Sequence, residues 1–523
     1  MASSSTPAPD VRLLCATSTC ATACNRPSTP LTRSSFVSPI VRSAQYNKKE
    51  QARYTTSART SRSQVSTPSL LRMISFIQGS KRPRVVPSSA LHPAATPPAD
   101  GTNLLASLPR EQIDEVLRRL PIKDAIRTSA LATAWRNCWK TCPHLKLVFF
   151  SDDPLGVVDS VLNKYTCCVD VFEVHFTREY ICRLEGWLHV LSAKGVRSIE
   201  LYFVPATVWE DALVPNSLFM CTGITKLLLV FCKLPPLPST FQGFPQLEHL
   251  HLREVIFLNN GEMTFEALIS KSPSLRTLGI QFPRFEGYKK EHIYREWVIQ
   301  APKLEDISIR SDDDCGWQII DLPSLVTANV ELQGPQITRI LSGITNVQKL
   351  YMDFTDDTIL EQLPSFFVDL KYLSFHTTFT QSSRILSIFS ILRNAPNLED
   401  LEITIWQEED EDIEVDMEFL NAQPSVGLFP KLKYFNLHAI VGQSNEMQFI
   451  EFVLSKAARL EKIEVFVCDD MRWQTMKKLP HKQTLSSAAS MATISRDLTM
   501  RRRNLKAYDD GDTIGQICKG EGI

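Results

Sequence analysis

Eleven times between residues 196 and 467 the chain sets apolar residues at the first, fourth and sixth positions of an eight-residue segment. The segments are VRSIELYF, ITKLLLVF, LEHLHLRE, LRTLGIQF, LEDISIRS, LVTANVEL, VQKLYMDF, LKYLSFHT, LEDLEITI, LKYFNLHA and LEKIEVFV. They begin at Val196, Ile224, Leu247, Leu275, Leu304, Leu325, Val347, Leu370, Leu398, Leu432 and Leu460. Ala328 is the weak fit. Residues two apart point to the same side of a strand, so the fourth and sixth positions share a face, and stacking such strands buries that face continuously. The steps run from twenty-one residues (Leu304 to Leu325) to thirty-four (Leu398 to Leu432). That spread brackets a repeat of roughly 20 to 29 residues with insertions, the L-x-x-L-x-L core of a leucine-rich repeat.

Punctuation supports a parallel sheet. Proline precedes many strands, in FPQL, SPSL, APKL, LPSL, APNL and FPKL, and marks where a returning limb stops and the next strand starts. Limbs such as residues 265–270 and 383–393 carry helical spacing.

Ahead of the repeats, residues 104–150 change to a period near four. Ile113, Val116, Leu117 and Leu120 form one stripe, with Arg110, Glu111, Asp114, Arg118 and Arg119 on the other face. Pro109 fits a first turn, where no amide is needed, and Pro121 turns Leu120 away from helical geometry. Asp124 is the expected cap of a second helix, and Leu131, Trp135, Cys138 and Trp139 line a third. Three helices in about fifty residues make a marginal core, so this piece is expected to lean on a partner or on the repeats.

The stretch LPREQIDEVLRRLPIKDAIRTSALATAWRNCW resembles the F-box of plant F-box proteins, and GWLHVLSAKGVRSIELYF and FPKLKYFNLHAIVGQSNEMQFIEFVLSKAARLEKIEV resemble the leucine-rich and FBD parts of plant F-box/FBD/LRR-repeat proteins. The pattern departs at Gln112, which flanks the apolar stripe where the family carries an apolar residue, and at Ala132-Thr133-Ala134. The resemblance implies an α/β chain: a three-helix F-box at 104–150, an irregular leucine-rich-repeat solenoid with parallel strands at 151–425, and an FBD-type segment at 426–470. Residues 1–103 are expected to be disordered and 471–523 to form a flexible tail. It also implies a substrate-recruiting subunit of an SCF-type ubiquitin ligase, without chemistry or cofactor of its own. Leu108, Pro109, Ile113, Val116, Leu117, Leu120, Pro121, Leu131 and Trp135 would meet a Skp-type adaptor, and through it a cullin, while the repeats hold a target protein. A repeat scaffold with no ligase role is the alternative.

The remaining signals are local, because 57 basic residues against 58 acidic ones advertise no field for nucleic acid or a membrane. Before Asp100 the only acids are Asp10 and Glu50, and this Ser/Thr/Pro/Arg-rich stretch reads as a disordered tail, an organelle transit peptide or, at Lys81-Arg82-Pro83-Arg84, a nuclear-import signal. Thirteen cysteines without a C-x-x-C pair fit reduced thiols in nucleus or cytoplasm, with chloroplast or mitochondrion following from a transit peptide. Cys20 with Cys24 and Cys138 with Cys142 have metal-compatible spacing but no nearby histidine, so no metal is expected. His249 and His251 share one strand face and read as a surface pair. Glu408 to Asp412 reads as a solvated insertion, and Arg501-Arg502-Arg503 as a solvated tail. Aspartate at Leu278 or Leu401 should disrupt adjoining repeats, since each buried leucine contributes about 1.5 to 3 kcal/mol; a variant melting like the parent would displace this register.

Overall fold

Two prolines set the start of the helical segment. Pro109 (ψ 151°) and Pro121 (ψ 143°) are extended and immediately precede Arg110–Arg119 (α1) and Ile122–Arg127 (α2). Neither helix loses a hydrogen bond, because the first amides of a helix have no partner inside it. Leu120 is extended at φ −94°, ψ 145°, as the clash with the following proline ring requires. Asp124, expected as a cap, lies inside α2 instead, where it accepts a 2.7 Å hydrogen bond from Arg127; Pro121 holds the capping position.

The expected third helix is broken into 3₁₀ turns Thr128–Ala130 and Thr133–Trp135 and a single turn, Cys138–Thr141 (α3). Asn137 between them is left-handed at φ 66°, a conformation asparagine tolerates better than most residues. The Thr128 hydroxyl donates to the Ala125 carbonyl at 2.7 Å, a local bond that competes with continued helix.

These features come from a computed structural model that describes residues 108–467 and the backbone of 491–496. Within 108–467 the exceptions are 177, 204–211, 287–296, 333, 335, 354–359, 361–362, 364–365, 380, 406–427 and 441. The chain divides into Met1–Lys49 and Glu50–Ile523. All of Met1–Lys49 lies outside the described residues. So do the rest of 1–103, the acidic run at 408–412 and Arg501-Arg502-Arg503.

One fourteen-stranded sheet follows. Its strands are Leu145–Phe149 (β1), Val169–Phe176 (β2), Ser198–Phe203 (β3), Lys226–Val230 (β4), His249–Arg253 (β5), Thr277–Gln281 (β6), Asp306–Ser311 (β7), Thr327–Leu332 (β8), Lys349–Asp353 (β9), Tyr372–Thr377 (β10), Asp400–Ile405 (β11), Tyr434–Ile440 (β12), Lys462–Val467 (β13) and Met491–Arg496 (β14). They stack in chain order, every pair parallel. All eleven sequence segments are strands of this sheet, and the helices of the returning limbs include Leu155–Lys164 (α4), Arg178–Ala193 (α5), Gly261–Ser270 (α6), Gln336–Gly343 (α7), Ser382–Arg393 (α8) and Ser444–Lys456 (α9).

The fourth positions align strand to strand. Leu250, Leu278, Ile307, Ala328, Leu350, Leu373, Leu401, Phe435 and Ile463 are consecutive partners, and none is more than 2% exposed. Ala328, the weak fit, is fully buried with the rest.

The sheet begins earlier than the repeat pattern suggested. β1 lies inside the stretch assigned to the helical segment, and β2 precedes the first counted repeat. Both carry the motif in disguise: Leu147 and Phe149 of β1 pair with Phe172 and Val174 of β2 at the fourth and sixth positions, and all four are buried. At the other end, β14 falls within the expected tail. Its Ala492 and Ile494 align with Ile463 and Val465 of β13.

Close packing between limbs fixes one glycine. Gly243 sits at φ +118°, and a Cβ there would come 2.2 Å from the Lys271 carbonyl oxygen. Gly243→Ala should therefore cost about 2 kcal/mol or more, from strained backbone plus a clash with main chain that cannot yield, read as a lower urea midpoint at unchanged slope.

Candidate docking surface of the helical segment

Burial sorts the nine expected adaptor-contacting residues into two groups. Ile113, Leu117 and Trp135 are 3%, 0% and 2% exposed and join the core that runs on through Leu145 and Phe149. They are core anchors rather than contact residues, because a side chain already removed from water by its own chain has no face left for a partner. Leu108, Val116 and Leu120 are half-buried at the edge of that core, Pro109 and Pro121 are exposed, and Leu131 is 40% exposed. These six remain at the surface.

The geometry of α1 explains the division. Ile113 and Leu117 are four apart and point inward, and Val116 and Leu120, also four apart, lie along the neighbouring outer row. Gln112 precedes Val116 by four and is exposed. It stands in line with the outer row instead of flanking the stripe. Sequence periodicity merged the two rows into one, because both are apolar. Half-buried Ile126 and Ala132 border the same core edge and were not among the nine; a wider apolar count on α2 and the following turn would have included them.

Polar contacts fasten the segment to the sheet. Arg110 donates to the Cys138 carbonyl at 3.0 Å and to the Thr141 hydroxyl at 2.8 Å, and pairs with Asp114 at 2.8 Å. Lys123 pairs with the buried carboxylate of Asp153. The Tyr165 hydroxyl accepts from the Leu145 amide at 3.2 Å and lies 2.8 Å from the Cys142 and Cys168 carbonyls; burial pushes its ionisation upward. Around the outer row Glu115 meets Arg119 at 2.6 Å and Arg118 at 3.6 Å, and Asp124 meets Arg127 at 2.7 Å, so the charges at the rim are paired off.

A second surface is the sheet face opposite the buried row. His249 and His251 both lie on it, half-buried as a surface pair, with His249 Nδ1 3.1 Å from the Thr277 hydroxyl oxygen. Burial, helped by the charges of Lys226 and His249, pushes His251 down to about 4. Gly279 makes room for it: a Cβ there would lie 2.5 Å from His251 Nδ1.

Known proteins match this architecture. A family model described as "FBD-associated F-box protein At5g56370, LRR repeats" matches residues 184–325. F-box/FBD/LRR-repeat protein At1g13570 of Arabidopsis thaliana is 24% identical over 406 residues, covering 70% of this chain and 91% of that protein. F-box/FBD/LRR-repeat protein At3g52680 of the same plant is 25% identical over 338 residues, covering 58% and 71%. Over these spans the chain is similar to plant F-box/FBD/LRR-repeat proteins. The stretch whose sequence resembles an FBD part forms the strand–helix–strand unit β12, α9 and β13. Glu446 accepts from the amides of Gly442 and Gln443 at 2.6 and 2.9 Å, closing the start of α9 in a capping box.

The Cys142 thiol of the helical segment is held neutral. Burial first, then the Asp114 carboxylate, pushes Cys142 from 9.0 up to about 12. A thiol bound more tightly to its proton in the folded chain contributes stability that is fully present below pH 9 and is lost as the pH rises toward 12. Cys142, Cys221, Cys232 and Cys315 are buried, whereas Cys168 and Cys182 are exposed. At neutral pH iodoacetamide should modify Cys168 and Cys182 at least about ten-fold faster than the buried four, since only accessible thiolate reacts; peptide mass mapping before and after denaturation checks this order.

Proposed function

We propose that this chain is the substrate-recruiting F-box subunit of an SCF-type ubiquitin ligase, carrying a Skp-type adaptor, and through it a cullin, on its helical segment and a target protein on its repeats. The observation that carries this reading is the two-sided character of α1. Ile113 and Leu117 spend one row on the solenoid's core, and a second apolar row, Val116 and Leu120 with Leu108, Pro109, Pro121 and Leu131, is left outside. The similarity suggests a partner for that outer row: a relative matching 70% of this chain is called an F-box/FBD/LRR-repeat protein. An apolar row rimmed by paired charges suits an interface in which a few buried anchors supply the affinity.

The repeat scaffold without a ligase remains the second reading, and Gln112 is the observation that favours it, since it places a polar amide in the outer row. The proposed place of action is nucleus or cytoplasm, which the free thiols at Cys138, Cys142, Cys167, Cys168, Cys182, Cys221, Cys232 and Cys315 suit.

Val116→Arg with Leu120→Arg should lower capture of a purified Skp-type adaptor by about ten-fold or more, the scale of losing an anchor worth over 1.4 kcal/mol. Its thermal midpoint should stay near the parent's. Leu117→Arg should instead unfold the segment. Undiminished capture by a folded Val116/Leu120 variant would leave the scaffold reading standing.

A further inference from the structure

The open face of the sheet between β7 and β11 is built from carboxylates and tyrosines. Tyr351 of β9 and Tyr372 of β10 have ring centroids 5.2 Å apart, and the Tyr372 hydroxyl donates to Glu402 Oε2 at 2.8 Å. Asp400 is the strand partner of Tyr372, and Asp306 lies on the same face of β7, two strands from Tyr351. All are half-buried.

On β7 to β13, Arg310 pairs with Glu331 at 2.8 Å and Lys462 with Glu464 at 2.8 Å, His438 lies 3.6 Å from Glu402 and His376 3.9 Å from Asp353, and Lys349 is exposed. Among the described residues Asp306 and Asp400 have no ion pair; Asp400 meets only the Asn436 amide, at 3.5 Å. Burial pushes both carboxyls up to about 6, with Glu402 adding to the effect at Asp400. Asp353, two residues beyond Tyr351 on the same face, has a side chain only 9% exposed, and its Oδ1 has no hydrogen-bond partner. Asp306 and Asp400, desolvated and without an ion pair, cost the free chain stability. A ligand that supplies the charge recovers it.

We propose that this face takes a basic segment of the target protein, with arginine side chains lying against the Tyr351–Tyr372 pair and facing Asp306 on one side and Asp400 with Glu402 on the other. Four strand spacings separate β7 from β11, about 19 Å at roughly 4.8 Å each, which is the reach of about six extended residues. Arginine suits the site better than lysine, because its planar guanidinium stacks on an aromatic ring and meets a carboxylate through two donors. The inference rests on the reading that the repeats hold the target, and it names that target's chemistry.

The test uses the full chain and three labelled octapeptides, alternating Arg-Gly, Lys-Gly and Glu-Gly, followed by fluorescence anisotropy at physiological salt. The Arg-Gly peptide should bind at least about ten-fold tighter than the Glu-Gly peptide and about three-fold tighter than the Lys-Gly peptide. Asp306→Asn with Asp400→Asn should weaken Arg-Gly binding about ten-fold while leaving the thermal midpoint equal or higher, since the desolvated charges are gone. Carbodiimide labelling of Asp306 and Asp400 in the parent, read by mass spectrometry, should be suppressed by the Arg-Gly peptide, which gives the answer without any substitution. Undiminished binding by the double variant, or labelling that the peptide leaves unchanged, overturns the proposal. So does loss of binding when only the acids at 408–412 are neutralised. Adaptor capture measured in parallel separates the two readings. Lost capture with retained peptide binding removes the ligase assignment and leaves this surface, and the converse removes the surface alone.

Discussion

Every strand of the main sheet depends on its neighbour to cover the same two side chains. The fourth and sixth positions of a single repeat would stand in water, and only the next repeat, in the same register, removes them from it. The row from Leu250 to Ile463 is therefore both core and ruler. A slip of one residue anywhere would turn the apolar row onto the open face. That is why irregular limb lengths are tolerated while the strand pattern is not: the spacing between repeats varies from twenty-one to thirty-four residues, yet Leu401 still meets Phe435 directly across the longest step.

This constraint also shapes the start of the solenoid. Leu145, Leu147 and Phe149 form a repeat strand soon after α3, and Ile113, Leu117 and Trp135 pack into the same core. The helical segment thus solves its small size by borrowing the first strand, with Tyr165 bonded to main chain at the junction. Its inner row is spent on that attachment, which leaves the outer row of α1 as the exposed apolar feature of the segment.

Much of this was legible in the sequence, and the parts that were not share physical causes. The eleven strands, the parallel order and the stop at Leu120 all follow from side-chain period and proline geometry, both local properties. β1 and β2 were hidden because phenylalanine, at Phe149 and Phe172, fills positions where leucine is the usual signal. β14 was hidden because it follows a stretch with no repeat pattern. The broken third helix turned on a threonine hydroxyl bond and a left-handed asparagine, choices that hydrophobic spacing does not record. The division of α1 into two rows was invisible for a related reason: periodicity reports which residues are apolar together, and only tertiary packing decides which of two adjacent rows is covered. The carboxylate and tyrosine face is likewise scattered over four strands in sequence and gathered only by the register.

The shared core between α1 and β1 makes the helical segment and the first strands a single lever arm. Each further repeat moves the open face outward by one strand spacing, about 4.8 Å. Tyr351 on β9 is eight such steps from β1, so a molecule gripped there is held roughly 38 Å along the sheet from whatever grips α1. Loss or gain of one repeat between them would change that separation by one fixed increment and rotate the cargo by the local twist of the sheet. Among proteins built this way, the number of strands is then a setting for reach, independent of the residues that choose the cargo.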